Sequence, residues 1–346
     1  MQISELPIQI YTTSPPYRGG SPEEHLKAVQ NVARWSDQTG CDGILVYTDN
    51  SMLDPWLIAQ VILQSTQTLM PLVAVQPVYM HPYSVAKMVA TLSFLYRRRV
   101  CLNMVAGGFK NDLIALNDLT PHERRYERLV EYTAIIQQLL ATGDPVSFTG
   151  DFYTVHQLAI KPSLPPELFP LITISGSSAE GMAAAAALKA IPVQYPEPAG
   201  ETATGTDAAQ QVSGIRVGII AREQEDEAWA CAFDRFPPAD RAGKITHDIA
   251  MKVSDSVWHK QLSTLAHGTA GLRSTYWLTP FENYKTFCPY LVGAYGQVAV
   301  EIRKYLRKGC RIFILDVPVA EDDLTHIGHV FDLAGEGIRH AVARHG

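Results

Sequence analysis

Charge is scarce in this sequence. The 346 residues hold 29 Lys and Arg against 35 Asp and Glu, a formal net charge of −6. The densest basic run is Arg97-Arg98-Arg99, beside an apolar stretch. No basic stripe exists for nucleic acid to bind, so a nucleic-acid partner is excluded. Cysteine is scarce too: five residues, at 41, 101, 231, 288 and 310, with no CxxC pair. That excludes a zinc ribbon or a disulfide scaffold and leaves the thiols as core residues. No apolar run approaches the roughly 18 residues of a membrane span. The N-terminus, Met1-Gln2-Ile3-Ser4-Glu5, lacks the basic start of a signal peptide. The expectation is a cytoplasmic protein with no membrane contact.

The usual catalytic motifs are missing as well. There is no GxSxG, HExxH, Walker or EF-hand sequence. His247, His259 and His267 are spaced by 12 and 8, which is no metal-ligand pattern, so no metal site is expected. After the first apolar run comes Ser14-Pro15-Pro16-Tyr17-Arg18-Gly19-Gly20, a turn rather than a dinucleotide loop.

What is present is a core-forming composition, with 47% hydrophobic residues, and a regular alternation. Apolar runs at 6–11, 43–48, 72–77, 100–106, 171–175, 191–195, 215–221 and 311–316 are separated by helical patterns. Most lack period-two alternation, as expected of parallel strands covered on both faces. Ser21-Pro22-Glu23-Glu24 and Thr120-Pro121-His122-Glu123 read as capping boxes; Asp54-Pro55 and His81-Pro82 also start helices. His81 is either such a cap or a site residue. Further helices are expected at 121–141, 178–189, 201–212, 294–308 and from 321 to near the end. Eight βα units predict a single α/β domain, a TIM (β/α)8 barrel over 1–346; an open doubly wound sheet is the alternative. Residues 145–155 read as a hairpin turning at Gly150-Asp151. The stretch 222–293 after strand seven is too long for a βα loop and predicts an insertion, with a mobile lid at about 236–288 over the mouth.

Three places can carry chemistry. Residues 171–181 form a strand, a turn at Ser175-Gly176-Ser177-Ser178 and a helix start; this is either a phosphate cradle or a tight turn with a serine cap. Asn103 puts a carboxamide inside a strand, to be satisfied by a heterocycle or by neighbouring side chains; Gly107-Gly108 follows. His122 and Tyr126 share one helix face, reaching over the barrel mouth or lying on the surface.

In their order, Asn103 to Gly108, Thr-Pro-His-Glu-Arg-Arg-Tyr-Glu at 120–127, Phe148-Thr149-Gly150, Ser175 to Ser178 and Arg222 to Trp229 resemble the bacterial-luciferase-like flavin monooxygenases, most closely the alkanesulfonate monooxygenase branch. The resemblance covers about 5–220 and 288–335. It implies reduced FMN (FMNH2) from a separate flavin reductase, O2 as co-substrate, oxygen transfer through a C4a-peroxyflavin, and a homodimer or tetramer. It implies that Thr48, Val75 and Gln76, Asn103, Ala106 and Gly107 line the flavin ring and ribityl chain. His122 and Tyr126 lie at the ribityl-phosphate end, and Ser177 and Ser178 hold the phosphate. Arg216 is implied as the catalytic side chain. A deazaflavin oxidoreductase and a non-catalytic flavin-binding barrel are the alternatives.

Three departures point away from sulfonates. Arg216-Val217-Gly218 stands where that branch has Arg-x-His, Met52 replaces a cysteine, and 280–293 replaces a Gly- and Arg-rich stretch. Gly218 reads as room for a larger substrate, and the remaining resemblance, to family members of natural-product pathways, implies a small-molecule or carrier-bound one.

Overall fold

The computed structural model describes residues 7–107, 109–198, 212–237, 242–247, 262 and 273–335. The helix expected at 201–212 and most of the suspected lid, including His259 and His267, lie outside the described residues. No described helix is long and apolar enough to cross a membrane.

Eight parallel strands close into a barrel. They are β1 (Gln9–Thr13), β2 (Gly43–Val46), β3 (Met70–Val75), β4 (Cys101–Val105), β7 (Ile172–Ser175), β8 (Ile191–Gln194), β9 (Ser213–Arg222) and β12 (Cys310–Leu315). Each pairs with the next, and β12 closes on β1 with Gln9 opposite Ile312. The remaining strands are β5 (Val146–Thr149) and β6 (Thr154–Leu158), the expected hairpin, and β10 (Tyr276–Trp277) and β11 (Tyr290–Ala294). β9 is the longest strand. Its first half pairs with β8 and β12, and its second half, Gly218 to Arg222, pairs with β11.

Helices α1 (Pro22–Gln38), α2 (Pro55–Ser65), α3 (Pro82–Tyr96), α5 (His122–Ala141), α6 (Ala179–Leu188), 295–307 and 321–334 cover the strands. Their starts follow local chemistry. Ser21 and Glu24 exchange capping-box bonds, Asp54 accepts from Trp56 and Leu57, and His81 caps α3 through Nδ1. Thr120 is different from expectation. Its hydroxyl and amide are both taken by Asp118 Oδ1, so α5 starts behind Pro121 with no side-chain cap. A short helix, α4 (Lys110–Ala115), which the sequence pattern did not reveal, follows β4.

The barrel interior is layered. Tyr11, Leu45, Leu72, Cys101, Val193, Ile312 and Ile314 fill it with an apolar plug. Strand side chains alternate, so the next inward positions lie two residues on. Tyr47, Ala74, Asn103, Tyr195 and Asp316 therefore form a second layer toward the C-terminal mouth, above the plug. The described ends of the 222–293 insertion are packed rather than loose. Helix α7 (Glu225–Arg235) and 276–294 build an aromatic wall of Trp229, Phe236, Trp277 and Tyr290.

Candidate active site at the barrel mouth

The C-terminal mouth opens through three adjoining cavities. The inner one, about 170 Å³, is lined by Tyr47, Thr48, Ala74, Asn103, Ser175 and Arg216, among others. An outer one of about 420 Å³ lies between Arg18, Asp49, Lys110, Asp112, Lys285 and Asp316. A third, about 260 Å³, lies beside Thr48, Val75, Gln76 and Tyr79. Asp49 and Met52 border all three, so they form one branched space of the size that holds a large organic ligand.

Of the expected residues, Thr48, Val75, Gln76, Asn103 and Arg216 line these cavities, whereas Ala106, Gly107, His122, Tyr126, Ser177 and Ser178 line none of the three. On one wall, Asn103 Oδ1 accepts from the Thr173 hydroxyl at 2.8 Å and the Ser175 hydroxyl at 2.9 Å. Those two bonds fill the carbonyl end and fix the carboxamide, leaving its NH2 for an acceptor in the cavity. Neighbouring side chains thus satisfy half of Asn103. Val75 and Ala106 are buried beside it, and Gln76 Nε2 reaches the Thr48 carbonyl and the Tyr79 hydroxyl at 3.5 Å. The Val75–Gln76 peptide is trans.

The opposite end is built by α5 and the β7–α6 turn. Buried Arg125 donates to the Gly107 carbonyl at 3.2 Å and to His122 Nδ1 at 3.0 Å. A guanidinium has no acceptor, so Nδ1 accepts and the imidazole proton sits on Nε2. That Nε2 is buried and has no partner. Tyr126 stacks edge-on against His122 at 5.4 Å and is buried, not on the surface. Burial raises its phenol, against a smaller lowering by the Ser178 bond and Arg125. Its hydroxyl occupies the space where a Cβ on Gly176 would stand, 2.6 Å away, and Gly176 has φ +152°. Ser178 caps α6 by accepting from Gly181 at 3.2 Å, whereas the Ser177 hydroxyl is buried and without a partner. The serine-cap reading of this turn is therefore met by Ser178, and the Ser177 hydroxyl is left over.

Arg216 projects from β9 into the inner cavity. Its guanidinium lies over Tyr47 at 4.3 Å and Tyr195 at 6.0 Å. It is 9% exposed, and Nε and Nη2 have no hydrogen-bond partner. Burial lowers its pKa; the nearby Cys288 and Asp316 partly offset this.

Gly218 does not open space for a substrate. A Cβ there would stand 2.3 Å from the Tyr290 ring, so β11 fills the position. The Tyr290 hydroxyl donates to Asp316 at 2.8 Å, and burial followed by that carboxylate holds the phenol well above its ordinary range. Tyr47, Tyr195 and Asp316 line these cavities and Tyr290 anchors Asp316, none of which the sequence reading singled out. A signal for three of them exists: Tyr47, Tyr195 and Asp316 each end an apolar barrel strand, on the face where barrel active sites lie. Tyr290 had no local signal.

A family model of luciferase-like monooxygenases matches residues 8–310, and the chain belongs to this family. A relative from Niallia circulans, 4-(gamma-L-glutamylamino)butanoyl-[BtrI acyl-carrier protein] monooxygenase BtrO, is 35% identical over 317 residues, covering 89% of this chain and 91% of its own. Among solved structures, the fold matches riboflavin lyase RcaE with modified FMN and riboflavin, TM-score 0.73, at 15% identity over 96% of this chain and 92% of that one. It also matches EDTA monooxygenase EmoA from Chelativorans sp. BNC1, TM-score 0.72, at 15% identity over 96% and 95%. The chain is a monooxygenase on the TIM-barrel fold of this family.

Proposed function

We propose that the chain uses reduced FMN, delivered by a separate flavin reductase, and O2 to put one oxygen atom into an organic substrate of a natural-product pathway. The balance is substrate, O2 and reduced FMN giving oxygenated substrate, oxidised FMN and water. The observation that carries this is the pair of unpartnered buried groups, His122 Nε2–H at the start of α5 and the Ser177 hydroxyl just before α6. Helix N-terminal ends with spare donors fit the terminal phosphate of FMN. Asn103 is placed to donate to a carbonyl edge of the ring, with Ala74, Val75, Ala106 and Gly107 forming an apolar bed near it. The bound flavin would supply the oxygen chemistry; the protein orients it and keeps water out.

Arg216 carries the one catalytic role assigned to a side chain. Its guanidinium lines the inner cavity, where it would stabilise negative charge on oxygen at low dielectric. The relative that acts on an acyl-carrier-bound substrate, at 35% identity over nine-tenths of the chain, supports a carrier thioester as the form in which substrate arrives. The outer cavity supplies an open route for such an arm.

The test has two parts. The Ser177→Asp/Ser178→Asp double variant should weaken FMN binding strongly in a titration, because two carboxylates oppose the phosphate. Wild-type chain, with FMNH2 from any flavin reductase, should couple O2 use to the gain of one oxygen atom on acyl thioesters, read by mass spectrometry. Unchanged FMN affinity in the double variant would remove the phosphate assignment. Turnover with a reduced deazaflavin and no O2 uptake would replace the reaction.

A further inference from the structure

Arg216 and Asp316 carry opposite charges in the same polar layer, yet no ion pair joins them. β9 and β12 are neighbours, with Arg216 opposite Ile314, so Asp316 is the next inward position, diagonal to Arg216. Two hydroxyls hold the carboxylate in place: Thr286 Oγ1 donates at 2.5 Å and Tyr290 at 2.8 Å, both to Oδ2. Oδ1 takes no hydrogen bond among the described residues, and Asp316 lines the outer cavity. Arg216 lies over the Tyr47 ring at 4.3 Å and the Tyr195 ring at 6.0 Å, with Nε and Nη2 unpartnered. The two cavities share Tyr47, Asp49, Met52, Phe109 and Phe287, with Arg216 lining the inner one and Asp316 the outer, so a ligand that spans both meets both charges.

A buried guanidinium left half unpaired beside a carboxylate is costly. The arrangement therefore leaves room for a group that presents an acceptor on one side and a donor on the other. A carboxylate would satisfy Arg216 and face Asp316 with like charge. An ammonium would satisfy Asp316 and repel Arg216. A secondary amide has its C=O and N–H on opposite sides and adds no charge of its own to desolvate. We propose that Arg216 and Asp316 form a split ion pair that selects substrates carrying a secondary amide, the carbonyl accepting from Arg216 and the N–H donating to Asp316 Oδ1. Thr286 and Tyr290 are positioning residues that stop the pair from closing. The proposal rests on the reading of the mouth as the substrate site and of a thioester as the substrate form.

The test compares two pantetheine thioesters, 4-acetamidobutanoyl and its ester isostere 4-acetoxybutanoyl, which differ only in N–H against O at one atom. Binding to the FMN-loaded full chain is measured by equilibrium dialysis, independently of turnover. A hydrogen bond to a charged group corresponds to a preference of roughly ten- to a hundredfold for the amide. Asp316→Ala should erase that preference. Asp316→Asn, which keeps the volume and can still bond both hydroxyls, should reduce it to about threefold or less, with an unchanged melting temperature confirming the fold. Equal binding of the two probes by wild type, a preference that survives both variants, or no binding of either probe overturns the proposal. Oxygenation of both thioesters without preference would leave the proposed reaction standing and remove the amide selection. Selective binding without FMNH2-dependent oxygenation would do the reverse.

Discussion

The two ends of the barrel differ in how their charged side chains are bonded. At the N-terminal end the charges of Asp37, Arg98 and Asp42 are spent on structure, although Arg99 Nε and the Tyr11 hydroxyl there have no partner. Asp37 accepts from the Gln67, Thr68 and Leu69 amides and from the Thr68 hydroxyl. Arg98 donates to Thr66, to the Leu69 carbonyl and to the Leu63 carbonyl. Asp42 takes the Ile10 amide. At the mouth, Ser177, His122 and Arg216 keep buried polar atoms without partners. Buried polar groups are otherwise almost always bonded. The contrast between those three bonded charges and the unpartnered groups of Ser177, His122 and Arg216 can be tested residue by residue.

The largest effect should come from Arg216. Arg216→Met keeps the length and removes the charge. Losing a donor aimed at developing negative charge costs about 100-fold or more in kcat. The melting temperature should hold or rise, because a buried, half-paired guanidinium disappears. Steady-state oxygenation and a thermal scan check this together. Retained activity with a lower melting temperature would place Arg216 with the structural charges of the other end.

Gly218→His comes next. The alkanesulfonate branch has histidine there, but here the Tyr290 ring fills the position, locked by Asp316 and packed on Phe236 at 5.0 Å. Overpacking of this kind costs roughly 1–3 kcal/mol. Denaturant unfolding should show the loss, and adding Tyr290→Ala should recover part of it. Neither variant nor wild type should release sulfite from a medium-chain alkanesulfonate with FMNH2. A stable single variant would mean that Tyr290 swings away and that the space is real.

At the other end, Asp37→Asn should cost roughly 1–2 kcal/mol, since a charged acceptor is lost from four bonds, and should leave FMN affinity alone. Burial tends to raise the Asp37 carboxyl, but those hydrogen bonds outweigh it and hold the pKa below the ordinary value of 3.8. The sign follows. The carboxylate's contribution is complete above the unfolded value and is lost as pH falls below 3.8 toward the folded value. The stability gap between wild type and Asp37→Asn should therefore be constant near neutrality and shrink in acid. A gap that grows on acidification would contradict the assignment.

The barrel was legible because parallel strands buried on both faces must be nearly continuous apolar runs, and helix starts must carry caps. The eight runs became eight strands; Asn103 and Arg216 line the inner cavity, and Tyr126 packs on Gly176 at its edge. What was not legible depends on pairing across the chain. β11 sits beside β9 through backbone bonds 72 residues apart, Tyr290 opposite Gly218, and no local period announces that. The glycine read as empty space is filled from there. Thr120 shows the same limit at short range: the capping-box spelling was present, but Asp118, two residues before it, takes the hydroxyl.

The smallest effects should come from the two adjacent serines, and they divide the comparison most finely. Ser178 and Ser177 share one turn but belong to different halves of the argument. Ser178 accepts from Gly181, as a helix cap does; Ser178→Ala should cost about 1 kcal/mol of stability. The Ser177 hydroxyl is buried and bonds nothing. Ser177→Ala removes an unpaired polar group, so the fold should hold or gain slightly, while a ligand that needed the hydroxyl loses one hydrogen bond. That corresponds to roughly three- to tenfold weaker FMN binding. The pair of variants is read by thermal melting and by FMN titration in parallel. The expected pattern is crossed: Ser178→Ala melts lower, Ser177→Ala binds more weakly at an unchanged melting temperature. If Ser177→Ala lowers the melting point and leaves FMN affinity intact, its hydroxyl is a packing group, and the phosphate must be held by His122 and the α6 amides alone.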